Sequence, residues 1–209
     1  MTREQYDAIV LTGGRARRLG GLPKPGIEIG GRPLAGRVVA AVRDAARVVV
    51  VGVEVPGVRA DAVTREVPAG AGPMAAVAAG LAHVRAPVVA TLAGDLPFLT
   101  TAAVWELRRA LTDEPSAAAA VLVDDTGRDQ PLCAVWRAEL LRDTLSVVSR
   151  PRSLAGVGGN GLTGLPMSLL LAAAEPVVRC AMIIPAGPPP WFDCDTADDV
   201  TRAREWQGH

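Results

Sequence analysis

The chain of 209 residues is poor in aromatic side chains and shows no excess of either charge sign. Aromatic residues make up 3% of the sequence, too few for the stacking platforms that bind single-stranded nucleic acid. Lysine and arginine together number 22, as do aspartate and glutamate, so the formal net charge is zero. A chain without a basic excess is not typical of proteins that bind nucleic acid nonspecifically.

Cysteine, histidine and long apolar segments are also scarce. The three cysteines form no Cys-x-x-Cys pair, and the only histidines are His83 and His209, which argues against a zinc site or a disulfide framework. Buried thiols in a reducing cytoplasm are the better interpretation. No apolar run reaches the roughly 18 residues of a membrane helix, and residues 1–5 are too short and polar for a signal peptide. We therefore expect a cytoplasmic protein that binds neither membranes nor nucleic acid.

Apolar, β-branched runs alternate with helix-like stretches along the chain. Strands are predicted at 8–11, 47–51, 65–67, 88–93, 117–123, 131–136 and 180–184. Helices are predicted at 34–44, 73–83, from 100 or 101 through 111, at 138–148, at 165–174 and after 196. This alternation is typical of βαβ units and predicts an α/β fold with a mostly parallel sheet. Because no linker-like segment interrupts it, residues 1–209 are predicted to form a single domain.

A glycine-rich, basic loop follows the first strand, and residues 12–25 read TGGRARRLGGLPKP. Gly13 and Gly14 allow a sharp turn and a close approach of a ligand to the backbone. Four cations follow these glycines: Arg15, Arg17, Arg18 and Lys24. Backbone amides and cations at the end of a parallel strand predict a polyanion site, most simply for a nucleoside triphosphate. The spacing matches neither the Walker pattern nor the Rossmann dinucleotide fingerprint, which disfavours a hydride transferase.

Acidic residues occur in two later segments, 94–97 and 193–196, which are also predicted to lie just after strands. Asp95 comes directly after the strand at 88–93, where a carboxylate would face the ligand crevice and bind Mg²⁺; the alternative is an ordinary turn residue. Asp195, and with less weight Asp193, would complete the metal site or merely cap the last helix. The segment Gly72-Pro73 would border a base or sugar pocket or simply begin a helix. Residues 129–132 would face a second substrate or form a turn.

Taken together, these segments resemble nucleotidyltransferases of the sugar-nucleotide type, and in particular the molybdenum cofactor guanylyltransferase family. The resemblance begins with residues 11–20 and Pro23-Lys24-Pro25. It continues in order through 72–76, 94–99, 130–136 and 195–199, so it spans nearly the whole chain. It implies a single Rossmann-like three-layer domain of the nucleotide-diphospho-sugar transferase type. The implied reaction transfers GMP from GTP to the terminal phosphate of molybdopterin cofactor and releases pyrophosphate.

The resemblance also implies roles for individual residues. Leu11, Thr12 and Gly13 would contact the guanosine and phosphates. Arg18 and Lys24 would hold the triphosphate, and Asp95 would bind Mg²⁺ with Asp195 or Asp193. The implied partners are GTP and molybdenum cofactor as substrates, with transient contact with other proteins of cofactor assembly.

Two departures from the family bear on nucleotide selection. Family members commonly place Asn where Val51 stands, and Asp where Val67 or, with a shift, Glu66 stands. The nucleotide and the acceptor therefore stay open at this point. The alternatives are a cytidylyltransferase, a transferase for another phosphorylated small molecule, and a noncatalytic homologue that binds nucleotide or cofactor.

Overall fold

The computed structural model describes residues 4–13, 24–154, 161–182 and 187–208, with backbone only for 151–154. Its strands are β1 (Tyr6–Leu11), β2 (Glu28–Ile29), β3 (Arg32–Pro33), β4 (Arg47–Val51), β5 (Ala62–Thr64), β6 (Val88–Ala93), β7 (Ala119–Val123), β8 (Asp129–Arg137) and β9 (Val177–Ala181). Its helices are α1 (Leu34–Ala41), α2 (Pro73–Leu81), α3 (Thr101–Asp113), α4 (Ala138–Leu154), α5 (Met167–Ala173) and α6 (Ala197–Gln207). No helix among the described residues is long and apolar enough to cross a membrane.

Seven strands form one sheet in the order β5-β4-β1-β6-β8-β7-β9. Neighbouring strands are parallel except at β8, which runs antiparallel to both β6 and β7. The predicted mostly parallel α/β fold is therefore confirmed. The chain passes from β1 outward to β4 and β5, then returns to place β6 on the other side of β1. This reversal between β1 and β6 is the point at which open α/β sheets bind ligands.

Helices cover both faces of the sheet because the central strands are apolar on both sides. All six residues of β1 are buried. Ile9 and Leu11 pack on the face covered by α2, α4 and α5, whereas Ala8 and Val10 pack on the face covered by α1 and α3. A third, smaller cluster packs α6 against β2 and the start of α1. The result is the expected three-layer arrangement.

Several predicted elements differ from the observed ones. The strand predicted at 65–67 is wrong: β5 occupies Ala62–Thr64, and Pro68, which has no N–H, cannot extend its ladder. The short hairpin β2–β3 precedes α1, in a stretch where no strand was predicted. Helix α4 continues to Leu154, beyond the predicted end at 148. The last strand ends at Ala181, and residues 183 and 184 of that prediction lie outside the described residues.

Candidate active site

The carboxyl ends of β4, β1 and β6 meet at one edge of the sheet. Leu11 is paired with Val51 on one side and with Ala93 on the other. Two backbone hydrogen bonds fix the chain just beyond these ends: Thr12 N donates to Val51 O at 2.8 Å, and Gly94 N donates to Leu11 O at 2.8 Å. This ladder holds the start of the glycine-rich loop directly beside the segment that carries Asp95.

The backbone at this edge is packed so closely that one position accepts only glycine. Gly52 has φ +125°, and a Cβ atom there would lie 2.3 Å from Gly13 N. Thr12 is buried, and its hydroxyl donates to Val53 O at 2.7 Å. The Thr12 side chain therefore holds the loop, and of the three predicted contacts Leu11, Thr12 and Gly13, it is Leu11 and Gly13 that line the adjacent cavity.

A cavity of about 410 Å³, here called the strand-end cavity, opens at this edge. Leu11, Gly13 and Gly52 line its floor, and the predicted pair Gly72 and Pro73 lines one wall. Pro73 occupies the first turn of α2, as its missing N–H allows. The remaining lining residues belong to the loop after β5, to α2, and to the strand ends: Val53, Arg65, Glu66, Ala69, Gly70, Ala76, Ala93, Asp95 and Leu132.

Lys24 joins the two acidic segments beside this cavity, which Asp95 lines. Its Nζ forms ion pairs with Asp95 and Asp195, the latter at 2.5 Å from Oδ1. The Lys24 side chain is 14% exposed, compared with 20% for Asp95 and 65% for Asp195. Burial lowers the pKa of Lys24, but its ion pairs and hydrogen bonds with Asp95 and Asp195 outweigh burial and raise that pKa above its ordinary value.

Asp193 lies beside these groups. Partial burial of its carboxylate, together with the negative charges of Asp195 and Asp95, raises the pKa of Asp193 to about 6, although the residue as a whole is exposed. Cys194 lies between Asp193 and Asp195 in the sequence, and its backbone N donates to the backbone O of Asp95 at 3.2 Å. We call Lys24, Asp95, Asp193 and Asp195 the acidic cluster.

The placement of this segment differs from the prediction in one respect. Residues 193–196 do not follow a strand directly: β9 ends at Ala181, and residues 187–196 contain no strand. The segment is held by packing of α6 instead. The helix cap consists of Thr196 and Asp199, which form a reciprocal capping box. The alternative interpretation, that Asp193 and Asp195 serve as the capping acids, is therefore not what the structure shows.

The predicted site residues Gly14, Arg15 and Arg18 lie outside the described residues, as does Arg17. Within the described ranges, no group of three or more His, Cys, Asp or Glu side chains is arranged to hold a metal ion. Asp95 and Asp195 nevertheless converge on one cation, the Lys24 ammonium. Their carboxylate oxygens are suitable Mg²⁺ ligands, since Mg²⁺ is usually bound by one or two carboxylates together with substrate phosphates.

Glu66 is a buried carboxylate whose position the sequence analysis misjudged, because it assigned residues 65–67 to a strand. It is 8% exposed, and its Oε1 accepts a hydrogen bond from Gly70 N at 2.8 Å. Its Oε2 is buried and has no hydrogen-bond partner among the described residues. A buried acceptor without a donor is costly, and this one belongs to a residue of the strand-end cavity wall.

A second cavity of about 410 Å³, here called the outer cavity, lies on the other side of Asp95. The two cavities share Pro73, Ala93, Asp95 and Leu132. Residues 130–132 line it because β8 runs antiparallel to β6, which brings the start of β8 to the carboxyl end of β6. These residues belong to a strand, so the alternative prediction of a turn is wrong. The other lining residues are Leu96, Cys133, Pro166, Met167, Trp191 and Asp193.

The sheet, its switch point and the paired cavities define an α/β protein with two adjoining cavities on either side of one carboxylate, that of Asp95. The MobA-like NTP transferase domain family matches residues 8–157 of this chain. The chain belongs to that family, and it is a nucleotidyltransferase.

Curated relatives are named molybdenum cofactor guanylyltransferase. The protein from Rhizobium meliloti (strain 1021) is 26% identical over 212 residues, covering 95% of this chain and 90% of the relative. The protein from Burkholderia orbicola (strain MC0-3) is 34% identical over 150 residues, covering 65% of this chain and 72% of the relative.

Solved structures support the same fold. Molybdopterin-guanine dinucleotide biosynthesis protein A from Archaeoglobus fulgidus superposes with a TM-score of 0.67 at 21% identity, covering 95% of this chain and 97% of that one. The 2-C-methyl-D-erythritol 4-phosphate cytidylyltransferase from Thermus thermophilus gives a TM-score of 0.65 at 22% identity, with coverage of 97% and 98%. Because guanylyl and cytidylyl transferases share it, the fold alone does not select the nucleotide.

Proposed function

We propose that this protein transfers GMP from GTP to the terminal phosphate of molybdopterin cofactor and releases pyrophosphate. The observation that carries the proposal is the position of Asp95, which is paired with Lys24 and lines both of two adjoining cavities. A nucleotide in the strand-end cavity and an acceptor in the outer cavity would meet at Asp95. The curated relatives named molybdenum cofactor guanylyltransferase support guanylyl transfer to this cofactor.

The reaction requires the protein to align the two substrates and to neutralise developing charge. It does not require the protein to remove a proton. An oxygen of the acceptor phosphate attacks the α-phosphorus of GTP, and the bond from that phosphorus to the oxygen bridging to the β-phosphate breaks. The acceptor phosphate is already an anion, so no general base is required. Catalysis then consists of fixing both substrates in line and stabilising the negative charge that develops on pyrophosphate.

Individual residues take these tasks in the proposal. The Lys24 ammonium would bind the triphosphate and offset the charge on the leaving group. The amides around Gly13 and at the start of α2 would orient the phosphates and sugar. Gly14, Arg15 and Arg18 remain predicted phosphate contacts. Asp95, with Asp195 or Asp193, would hold Mg²⁺, which supplies positive charge to the phosphates when it is bound.

Glu66 supports guanine as the base. The Watson–Crick edge of guanine presents two neighbouring N–H donors, whereas cytosine presents a single amino donor beside acceptors. A carboxylate is an acceptor only, so it favours guanine. Val67 is 80% exposed and Val51 is fully buried in the sheet, and neither lines the strand-end cavity. Glu66, one position before Val67, lines that cavity and is therefore our candidate for the acidic base contact.

A nucleotide panel tests the proposal. Pyrophosphate release is measured with Mg²⁺ and GTP, CTP, ATP or UTP, with and without molybdenum cofactor. We expect release from GTP only when the cofactor is present. Glu66→Gln replaces an acceptor by a donor and should lower kcat/KM for GTP by about tenfold, because one charged hydrogen bond is lost. The exposed control Val67→Ala should leave kcat/KM unchanged.

Other outcomes would select among the alternatives. Release from CTP would make the protein a cytidylyltransferase. Release that requires a different phosphorylated acceptor would replace molybdopterin in the proposal. Tight GTP binding without release in any mixture would indicate a noncatalytic binding protein. Action in the cytoplasm and transient contact with other cofactor-assembly proteins form part of the proposal, although the chemistry does not depend on them.

A further inference from the structure

Lys24 occupies the point at which two of the three carboxylates of the acidic cluster converge, those of Asp95 and Asp195. Its Nζ contacts Asp95 on the loop after β6 and Asp195 before α6, 171 residues away along the chain. The same oxygens are the ones proposed to hold a divalent cation. Mg²⁺ binds carboxylate oxygens at about 2.0–2.1 Å and requires near-octahedral geometry, so the ammonium and the metal ion cannot share this point.

Displacing the ammonium is costly when nothing replaces its partners. The Lys24 side chain is largely buried, with 14% of its surface exposed. Breaking a buried ion pair by removing one partner leaves an uncompensated charge, which is strongly unfavourable. A divalent cation that enters alone must bear this cost, and it gains only the few carboxylate contacts that Lys24 gives up.

A triphosphate removes the cost. Its anionic oxygens would offer Lys24 a new charged partner in the strand-end cavity, and charge-assisted contacts of this kind are among the stronger hydrogen bonds. Once Lys24 turns to the phosphates, Asp95 and Asp195 become available, and the phosphates add further oxygen ligands for the metal.

We propose that Lys24 makes metal binding depend on nucleotide binding, because in the free protein its ammonium holds the carboxylates that the metal requires. Metal and nucleoside triphosphate then bind with positive cooperativity, and by linkage each raises the affinity for the other by the same factor. This inference rests on the proposed function only in assuming that a triphosphate binds in the strand-end cavity.

Binding of Mn²⁺ alone, followed through the electron paramagnetic resonance signal of free Mn²⁺, tests the proposal without turnover. The full chain is compared with Lys24→Met, which keeps an unbranched side chain one atom shorter than lysine but removes its charge, and with Lys24→Arg, which keeps the charge. Without nucleotide, we expect K24M to bind Mn²⁺ more tightly than the unmodified protein by about tenfold, within the usual range of coupling between sites. K24R should resemble the unmodified protein.

Two further arms locate the effect. Adding GTP should raise the Mn²⁺ affinity of the unmodified protein, and this enhancement should be smaller in K24M. The double variant K24M/D95N should lose the extra Mn²⁺ affinity if the ion binds at the acidic cluster. Circular dichroism melting confirms that each variant is folded before binding is compared.

The inference is overturned if K24M binds Mn²⁺ no better than the unmodified protein, or if the double variant retains the gain. It is also overturned if none of GTP, CTP, ATP and UTP raises the Mn²⁺ affinity of the unmodified protein above the binding of Mn²⁺ by that nucleotide alone. The proposed function fails separately, through the nucleotide panel: a protein that used CTP or another acceptor would still show the K24M effect, which is measured without any nucleotide.

Discussion

The strand-end cavity and the acidic cluster adjoin each other, yet different forces hold them in place. The cavity floor consists of backbone fixed by strand pairing and by close packing at Gly13 and Gly52. The acidic cluster consists of charged side chains from three remote segments, joined by ion pairs and resting on α6. A backbone floor suits a shape that does not change, whereas exchangeable ion pairs suit charged ligands that arrive and leave.

The acidic cluster should show the largest effect on turnover. Asp95→Asn keeps the size of the side chain but removes the charge shared by Lys24 and the proposed metal. We expect kcat/KM to fall by about two to three orders of magnitude, comparable to the loss of one electrostatic contact in a transition state, and the melting temperature to fall as well, because the largely buried Lys24 loses one of its two charged partners. Pyrophosphate release measures the first and calorimetry the second. Asp198→Asn, an exposed control on α6, should remain active. Near-normal turnover of D95N would contradict the role given to Asp95.

A substitution in the cavity floor should lower the stability of the fold before it affects turnover. Gly52→Ala places a methyl group 2.3 Å from Gly13 N at a φ of +125°. We expect a loss of about 2–3 kcal/mol in the free energy of unfolding in urea, because the backbone strain and the clash add together.

The matched control for this change is Gly57→Ala. Gly57 also has a positive φ, +78°, but a Cβ atom there would meet open space. The control should cost about 1 kcal/mol, which is the conformational cost alone. Equal losses in the two variants would show that close packing at the strand ends does not stabilise the floor.

Loss of the aromatic contacts that support the acidic cluster should produce the smallest of the three effects. Trp206 on α6 packs edge-on against Phe98 and Phe192, with ring centroids 5.7 and 4.9 Å apart. Phe98 follows Asp95 by three residues, and Phe192 directly precedes Asp193, so the rings join the two acidic segments. Trp206→Ala should reduce the free energy of unfolding by about 1–2 kcal/mol, since aromatic pairs contribute about 0.5–1.5 kcal/mol each.

Trp206→Phe should restore most of this loss, and Trp105→Ala serves as the exposed control. Trp105 is 42% exposed, similar to the 37% of Trp206, and packs against the Arg109 guanidinium on α3. If the aromatic cluster orients the acidic segments, W206A lowers kcat while W105A does not. A fall of the same size in both variants would remove that role from Trp206.

Local signals were enough to place several parts of the molecule. Apolar runs placed β1 and β6, because a strand buried on both faces requires apolar residues on both sides. Proline in the first turn marked the start of α2, and Thr196 with Asp199 marked the start of α6. Residues 65–67 were misassigned because Arg65-Glu66-Val67 has a single apolar residue, and so short a stretch does not show that the strand ends at Thr64.

The sequence by itself determined the α/β class, the strand that precedes the glycine-rich loop and the residue types of the site, since periodicity and composition are local properties of the chain. Only the tertiary structure decided that β8 runs antiparallel, that Lys24 lies between Asp95 and Asp195, and that Glu66 forms part of the strand-end cavity wall. These features depend on which distant segments pack together. That choice follows from burial of the whole core rather than from any short stretch of sequence.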